Sequence, residues 1–325
     1  IGFKGLRRLR SSRTLLLSPP PPPVSCAPPR TPSAGSADSP CGQAPFAEKS
    51  TLGCQASGAV MPLKGLSWRK GKQIGQGSYG SVFKAQDLDR GLIFAVKQCP
   101  QADPKHVEKM KMEIEICRTL QHPNIVRYLG FEDSSGGLFV FLEYVAGGCM
   151  SNILHEFGAL TSATLRKATR DCCRGLLYLH TRNPPVVHRD IKASNLLVDS
   201  DFEVKLADFG CSKKDDCTKS FTTIGSVPWM APEVILNKEG HGRKADIWSF
   251  GCTVVEMATA EQPWGANRFN SVMFALRHIG MTDEVPTLPN DYQDEECRDF
   301  VRQCVVRCPE TRPRSRHLLT HKFLR

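Results

Sequence analysis

The chain has 325 residues, of which 40% are hydrophobic and 23% are charged, a balance typical of globular proteins. Its apolar runs fall far short of the ~18 residues that a membrane-spanning helix needs, so the sequence predicts no membrane span. The formal net charge is +10, but residues 1–72 hold eleven of the 43 basic residues and only two of the 33 acidic ones. The rest of the chain is therefore nearly neutral, which argues against a nucleic-acid partner.

Fourteen cysteines are spread along the chain without the paired spacing of a zinc site. Several lie inside apolar segments, among them Cys117, Cys172, Cys173, Cys252 and Cys304. Free cysteine is one of the most buried residue types, and disulfides are rare in reducing compartments. The pattern favours buried thiols and a cytoplasmic location over metal ligation or disulfide bonding.

Residues 1–66 have the composition of a disordered segment. Residues 19–23 are all proline, and Pro, Ser, Ala and Gly dominate as far as Gly58. Such a stretch buries too little apolar surface to offset the entropy lost on ordering. We expect a disordered basic tail over 1–66 and a folded domain over 67–324. Because the first thirty residues contain no acidic residue, an organelle-targeting peptide is an alternative reading of the tail.

From Trp68 onward the pattern changes to regular secondary structure. Segments rich in β-branched and aromatic residues, separated by turn residues, predict strands over 72–76, 81–86, 92–99, 125–131 and 138–143. A helix is expected after Pro104. Beyond residue 148 the chain is mostly helical, with an apolar stripe over 161–181 and a segment over 245–258 that is apolar nearly all round. This order predicts an α+β fold of two lobes with a cleft between them.

A glycine-rich loop over 75–82 reads Gly-Gln-Gly-Ser-Tyr-Gly-Ser-Val. This pattern alone fits a dinucleotide site, a loop that covers ATP, or neither. A dinucleotide site needs a helix after the glycines, whereas 81–85 is strand-like, and the Lys-Ser/Thr pair of a Walker A loop is absent. The loop therefore predicts a hairpin between two strands that can lie over phosphates.

A flap of this kind needs a fixed cation close to the phosphates, and Lys97 on the third predicted strand is the candidate. An unpaired ammonium inside an apolar strand is costly, so we expect a carboxylate on the next helix to hold it. Glu113 is the first choice, and Glu115 is the alternative.

Two further motifs follow in order. Residues 187–195 read Val-His-Arg-Asp-Ile-Lys-Ala-Ser-Asn, and residues 207–210 read Ala-Asp-Phe-Gly. Taken with the upstream lysine and glycines, they closely resemble the catalytic and metal loops of eukaryotic protein kinases. The resemblance covers about 68–324. It implies a bilobal protein-kinase-like fold, with a small antiparallel sheet and one main helix in an N-lobe over about 67–143 and a larger, mainly helical C-lobe over about 147–324.

The resemblance also implies ATP as co-substrate and Mg²⁺ as the metal. Asp190 would accept the proton of the substrate hydroxyl, and Lys192 would steady the γ-phosphate. Asn195 and Asp208 would hold magnesium, and Lys97, held by Glu113, would contact the α- and β-phosphates. The remaining nucleotide-binding positions that it implies are Ile74, Gly75, Gln76, Gly77, Ser78, Tyr79, Gly80, Val82, Ala95, Leu142, Glu143, Val145 and Leu197. Among these, Leu142 would be the gatekeeper, and 143–145 would be the hinge that bonds adenine.

Several features indicate a kinase that acts on proteins. Residues 231–233 read Ala-Pro-Glu and resemble the end of an activation segment, with Arg312 as the partner of the glutamate. Asp246 resembles the helical residue that anchors the backbone of the catalytic loop. Lys192, two residues after Asp190, is the choice of Ser/Thr kinases.

Finer similarities lie in 122–130, 141–145, 228–233 and 242–249, which resemble MAP kinase kinase kinases of the MEKK/NPK type. This resemblance implies a MAP kinase kinase as the protein substrate in a signalling cascade. Sterile-20-like kinases are the near alternative. A pseudokinase scaffold is a more distant one, because such proteins commonly lose Lys97, Asp190 or Asp208, and all three are present.

The activation segment supplies a prediction about regulation. An arginine such as Arg189 beside the catalytic aspartate usually needs a phosphate on this segment to neutralise it. Thr222 and Thr223 are the best-placed acceptors, modified by an upstream kinase or by autophosphorylation. Ser226 stands where the family usually has threonine and keeps the hydroxyl.

Overall fold

The computed structural model describes residues 66–77, 80–99, 104–214, 224–236, 242–266 and 268–325. Nearly all of the predicted tail lies outside these residues. Ser78 and Tyr79 of the glycine-rich loop lie outside them too, as do Thr222 and Thr223 of the activation segment.

The first part of the domain is an antiparallel sheet of five strands in the order β1-β2-β3-β5-β4. The strands are β1 Trp68–Gly77, β2 Gly80–Asp87, β3 Ile93–Cys99, β4 Tyr128–Ser134 and β5 Gly137–Glu143. Helix α1, Pro104–Cys117, connects β3 to β4. On one face of the sheet, Trp68 packs edge-on against Phe94, Phe139 and Phe141 at 5.5 to 6.2 Å between ring centroids. Burial of each aromatic side chain stabilises the sheet by about 1.5–3 kcal/mol.

The prediction of a strand over 125–131 is wrong at its start. Residues 124–126 pair instead with the second part of the domain: Val126 donates its backbone N–H to Leu206, and Leu206 donates to Asn124. Ile125 and Leu206 form an isolated parallel bridge. The run is extended, as predicted, but the hydrogen bonds of its first residues go to another sheet. Strand β4 therefore begins only at Tyr128.

The second part of the domain is mainly helical. Its helices are α2 Met150–Phe157, α3 Ser162–His180, α4 Pro232–Ile235, α5 Arg243–Thr259, α6 Val272–Met281, α7 Glu295–Cys304 and α8 Ser315–Leu318. Four short strands form two antiparallel pairs: β6 Val186–Val187 with β9 Lys213–Lys214, and β7 Leu196–Val198 with β8 Val204–Leu206. Together with the five-stranded sheet, this gives the two-lobed α+β architecture expected from the sequence.

Two helices form the core of this helical part. The stripe predicted on α3 is confirmed, since Leu165, Ala168, Cys172, Leu176 and Leu179 are all buried. On α5 every residue from 245 to 255 is buried, as expected of a helix that is apolar nearly all round. Helix α7 packs closely on α5 at Gly251, where an added Cβ would lie 2.6 Å from the Cβ of Cys304. The backbone of α5 is thereby fixed at the centre of the lobe.

A buried ion pair connects α4 to the end of the chain. Arg312 donates both terminal nitrogens to the carboxylate of Glu233, at 2.7 and 3.0 Å, and also bonds the carbonyls of Val306 and Lys244. The pairing of these two residues expected from the resemblance is confirmed. Breaking such a pair from one side costs about 3–5 kcal/mol, because the other charge is left buried and alone.

The described part of the chain bears on two further expectations. Its cysteines with described side chains are unpaired thiols, and all of them except Cys149 and Cys308 are buried. No helix within the described ranges is long and apolar enough to cross a bilayer.

Candidate active site

The site is organised around Lys97, on the central strand β3. Its backbone pairs with Val82 on one side and with Val140 on the other. The side chain is 3% exposed, and its Nζ lies 2.8 Å from Glu113 Oε2 and 2.8 Å from Asp208 Oδ1. One ammonium thus joins the sheet, α1 and the loop after β8.

The helical period of α1 explains why Glu113 and not Glu115 reaches Lys97. Met110, Ile114 and Cys117 bury one face of the helix, and Glu113 lies on that face. Glu115 points the other way, is 55% exposed, and pairs with Arg118 at 2.6 Å. The two glutamates left open by the sequence are therefore distinguished by the direction in which the helix turns them.

Electrostatics keep this cluster charged. Burial alone would lower the pKa of Lys97, but Glu113 and Asp208 outweigh it, and the pKa is raised above the ordinary value. Burial would likewise raise the pKa of Asp208, but the Lys97 ammonium outweighs it and holds this pKa below its ordinary value. At Glu113 burial exceeds the attraction of Lys97, so its pKa is raised. The ammonium and the Asp208 carboxylate are both ionised at neutral pH.

The loop between β6 and β7 carries Asp190. Its Oδ2 accepts hydrogen bonds from Asn195 Nδ2 at 2.8 Å and from Lys192 Nζ at 2.9 Å. Lys192 also donates to Ser226 Oγ at 2.6 Å, which links this loop to the turn that precedes α4. The structure therefore brings together Asp190, Lys192 and Asn195, as expected, and adds a contact with Ser226 that the sequence did not predict.

The backbone of this loop is anchored by Asp246 in the first turn of α5. Its carboxylate accepts the N–H groups of His188 and Arg189, both at 2.8 Å, and lies 2.9 Å from His180 Nε2. Arg189 adopts a left-handed conformation with a φ of 73°, which is unfavourable for a side chain of this kind. Two hydrogen bonds to a buried carboxylate stabilise that conformation and place Asp190 beyond it. The role of His180 was not foreseen.

Asn195 and Asp208 are brought side by side by the pairing of β7 with β8. Leu196 is opposite Leu206, and the N–H of Ala207 donates to the carbonyl of Asn195 at 2.9 Å. Asp208 has a φ of 59°, a left-handed conformation that directs its carboxylate toward Lys97. Asn195 Oδ1 and Asp208 Oδ2 accept no hydrogen bond from the residues that the structure describes. Two open oxygens therefore remain at this point.

The positions expected to bind the base lie on β1, β2, β3, β5 and β7 and just after β5. Ala95 is opposite Leu142 in the sheet, Val82 is opposite Lys97, and Leu197 lies in β7. Val145 is buried. Ile74, on β1, is by contrast 46% exposed. These residues are apolar, as expected for the walls of a purine site.

Glu143 has a second task that the sequence did not reveal. Its carboxylate accepts the N–H of Arg127 at 2.7 Å and pairs with Lys205 at 3.1 Å, while its own N–H donates to Arg127. The side chain therefore ties the end of β5 to the segment before β4 and to β8.

The glycine-rich loop joins β1 to β2 as a hairpin, as predicted, with Gly77 opposite Gly80. The side chain of Gln76 accepts a hydrogen bond from Gln73 on the same strand at 3.1 Å. It accepts another from Ser81 across the hairpin at 3.0 Å. At Gly80 an added Cβ would collide with the carbonyl oxygen of Gln98, so only glycine fits beside β3. Gly75 has no such crowding, since its nearest neighbour would be 3.8 Å away.

Sequence reasoning missed Glu256, on the buried helix α5. Its Oε2 accepts the N–H of Ala193 at 3.0 Å and the indole N–H of Trp229 at 2.9 Å. It thus connects the Asp190 loop to the turn of Ser226. A carboxylate within a helix that is apolar nearly all round was the available signal, because a buried charge needs partners.

The protein kinase domain family matches residues 68–324. Mitogen-activated protein kinase kinase kinase A of Dictyostelium discoideum is 41% identical over 268 residues, covering 80% of this chain and 28% of the relative. The kinase kinase kinase ANP1 of Arabidopsis thaliana is 40% identical over 271 residues, covering 80% and 40%. Mitogen-activated protein kinase kinase kinase 3 of Mus musculus is 42% identical over 275 residues, covering 81% and 42%.

The chain therefore belongs to the protein kinase family, since the family match extends over most of its length. The expected bilobal protein kinase fold is confirmed. The matched region spans less than half the length of each of these three relatives.

Glu256 gives this domain a pH-dependent stability. Burial raises the pKa of Glu256 from an ordinary value near 4.5 to about 7, despite the hydrogen bonds from Ala193 and Trp229. The unfolded chain releases this proton at lower pH than the folded chain does. Below about pH 4.5 Glu256 is protonated in both states and does not reduce the stability of the folded domain. As the pH rises to about 7, the free energy of unfolding falls by ~3 kcal/mol.

Glu256→Gln keeps an oxygen that can accept both hydrogen bonds and removes the ionisation. We expect the free energy of unfolding of this variant, relative to the wild type, to increase between about pH 5 and about pH 8 in urea titrations. Glu156→Gln is the matched control, because Glu156 is exposed and should show no such trend. Parallel pH profiles for Glu256→Gln and the wild type would contradict the assignment.

Proposed function

We propose that the chain is a serine/threonine protein kinase that transfers the γ-phosphate of ATP to a hydroxyl of a protein. The observation that carries this proposal is the buried contact of Lys97 with Glu113 and Asp208, both at 2.8 Å. Desolvated charges held in one geometry are costly and concentrate at functional sites. A cation of this kind beside the Asp190 loop is what phosphoryl transfer needs.

Phosphoryl transfer depends mainly on positioning and on neutralising charge. Asp190 Oδ2 is occupied by Asn195 and Lys192, whereas Oδ1 accepts no hydrogen bond from a described residue. Oδ1 would orient the substrate hydroxyl and accept its proton. Lys192, between Asp190 and Ser226, would steady the γ-phosphate as it is transferred.

Lys97 would contact the α- and β-phosphates. Its ammonium already donates to Glu113 and Asp208, so the phosphates must share one of these directions. The Asp208 side is the accessible one, because Asp208 is 23% exposed and Glu113 only 5%. Glu113 would therefore keep its contact when nucleotide binds and hold the ammonium in place.

Magnesium fits the donors that this site offers. Asn195 Oδ1 and Asp208 Oδ2 are hard oxygen ligands, and Asp208 is kept ionised by Lys97. No cluster of three or more His, Cys, Asp or Glu that could cage a metal occurs among the described residues. Two protein ligands suit Mg²⁺, which commonly completes its shell with water and substrate phosphates. When bound, the ion would supply charge neutralisation along the phosphate chain.

The nucleotide base would lie between Val82 and Ala95 on one side and Leu197 on the other. The hinge at Glu143 and Val145 would offer backbone hydrogen bonds, with Leu142 limiting the depth of the pocket. The glycine-rich loop, residues 75–82, would cover the phosphates through backbone N–H groups. The hairpin geometry at Gly77 and Gly80 supports this reading.

The names of the relatives favour a mitogen-activated protein kinase kinase kinase, which acts on MAP kinase kinases. Lys192 beside Asp190 supports a preference for serine and threonine over tyrosine. We propose residues 67–324 as the kinase domain, residues 1–66 as a basic tail, and the cytoplasm as the location. The alternative of a pseudokinase scaffold is disfavoured by the intact contacts of Lys97, Asp190 and Asp208.

The direct test is phosphorylation of a panel of inactive MAP kinase kinases with Mg-ATP, followed by mapping of the modified residues. We expect incorporation on serine and threonine of the activation segment of at least one panel member. Asp190→Asn should lower the rate by about 10²–10⁴-fold, because it removes the proton acceptor. Phosphorylation of a generic protein but of no panel member would indicate a Ser/Thr kinase of another subfamily and would contradict the assignment to the MAP kinase kinase kinases. Equal incorporation by Asp190→Asn and wild type would refute the mechanism.

Regulation through the activation segment has its own test. We expect Thr222→Ala/Thr223→Ala to lose most of the activity, because no phosphate would then neutralise Arg189. The single variant Thr320→Ala, at an exposed position in the described part of the chain, is the control and should keep it. Full activity in the double variant would contradict regulation through Thr222 and Thr223.

A further inference from the structure

A cleft lies in the helical part of the domain, and Lys97, Glu113, Asp190, Asn195 and Asp208 do not line it. His180, which contacts Asp246, lies in its wall. The volume of the cleft is about 810 Å³, and it is bounded by the end of α3, the first turn of α5 and the segment before α8. Five cationic side chains line it: Arg182, Arg243, Lys244, Arg314 and Arg316. The acidic residues in its wall are Glu233 and Glu310.

Among the residues that the structure describes, the cations that line this cleft outnumber the carboxylates. Glu233 is already neutralised by Arg312, which grips both of its oxygens. Arg314 and Arg316 are exposed, and neither forms an ion pair with a carboxylate in the described ranges. Arg182 and Lys244 likewise form no ion pair with a carboxylate in the described part of the chain, and their hydrogen bonds go to main-chain carbonyls.

The surroundings of Lys244 show the same excess of positive charge. Its ammonium donates to the main-chain carbonyls of Glu310 and Arg312. Burial, together with the nearby charges of Arg314 and Arg312, lowers the pKa of Lys244 despite the opposing effect of Glu310. Arg182 and Arg243 also donate to main-chain carbonyls, those of Thr119 and His180. The cleft thus presents several cations whose described hydrogen bonds go to neutral groups.

A phosphorylated residue suits these side chains, because it carries about −1.5 to −2 charge and three strong acceptor oxygens, more than a single carboxylate offers. Guanidinium groups offer planar, paired N–H donors that match phosphate oxygens, and arginine outnumbers lysine here by four to one. The first turn of α5 also lines the cleft, and Gly242 provides no side chain to cap it, so the helix dipole adds positive potential. A volume of about 810 Å³ accommodates a stretch of peptide, far more than one inorganic anion.

We propose that this cleft binds a phosphorylated segment of a partner protein, with phosphoserine or phosphothreonine paired to Arg314 and Arg316. Both arginines are exposed at the rim and can meet a peptide that approaches from solvent. The cleft wall includes Glu233, so a bound phosphopeptide lies beside the Glu233–Arg312 pair that secures α4. The proposal concerns binding alone and goes beyond the phosphoryl transfer proposed above.

The test uses the full chain and a fluorescein-labelled peptide of alternating glycine and phosphoserine that carries two phosphates. Binding is followed by fluorescence anisotropy without nucleotide. We expect the phosphorylated probe to bind and its unphosphorylated twin not to bind. Arg314→Gln/Arg316→Gln should weaken binding about tenfold or more, because two charge-assisted contacts are lost.

The matched control is Arg277→Gln/Arg302→Gln, which removes two exposed arginines of α6 and α7 that do not line the cleft. It should leave the affinity unchanged, and thermal unfolding should show that both double variants are folded. Equal weakening by the two variants would assign the affinity to net charge and overturn the proposal. Binding of inositol hexakisphosphate but not of the phosphopeptide would overturn it as well.

The proposed catalytic function can fail separately from this binding. Lys192→Gln removes a cation of the candidate active site and leaves every residue of the cleft in place, so it should bind the phosphorylated probe as the wild type does. Loss of probe binding in Lys192→Gln would show that the affinity belongs to the candidate active site and would contradict the cleft.

Discussion

The arrangement of the site depends on one buried ammonium. Lys97 enters the apolar interior of the sheet only because Glu113 and Asp208 approach it at 2.8 Å. Without them, the cost of desolvating the charge would deprotonate it or expel it from the interior. Since the three residues belong to β3, α1 and the loop after β8, their attraction fixes the sheet, the helix and the helical lobe relative to one another. The geometry of the proposed phosphate-binding site follows from this pairing.

The second constraint is the buried helix α5, which positions the other half of the site. Asp246 holds the left-handed backbone at Arg189, and Glu256, almost three turns later, holds Ala193 and Trp229. Both carboxylates lie on a helix that close packing against α7 at Gly251 prevents from moving. The Asp190 loop itself has little regular structure. Its precision therefore comes from hydrogen bonds to a rigid element, in keeping with catalysis by positioning.

Much of this was predictable from the sequence because motif spacing and helical period carry the information. The hairpin after Gly75 and the stripe on α3 follow from local patterns, whereas the pairing of Glu233 with Arg312 was implied by the family resemblance. The prediction failed where partners are set by the tertiary fold. Residues 124–126 look like the start of β4 but bond to Leu206, and no local signal shows which sheet takes an extended apolar run. The ties from Glu143 to Arg127 and Lys205 were hidden for the same reason.

The central claim is that Glu113 holds Lys97 where it can neutralise the phosphates of ATP. The most direct measurement compares kcat/KM for ATP in Glu113→Gln and Glu115→Gln, two substitutions of the same chemistry two residues apart on α1. Because Glu113 is buried against Lys97 and Glu115 is exposed, the first variant should lose about tenfold or more and the second almost nothing. Equal values for the two variants would contradict the claim.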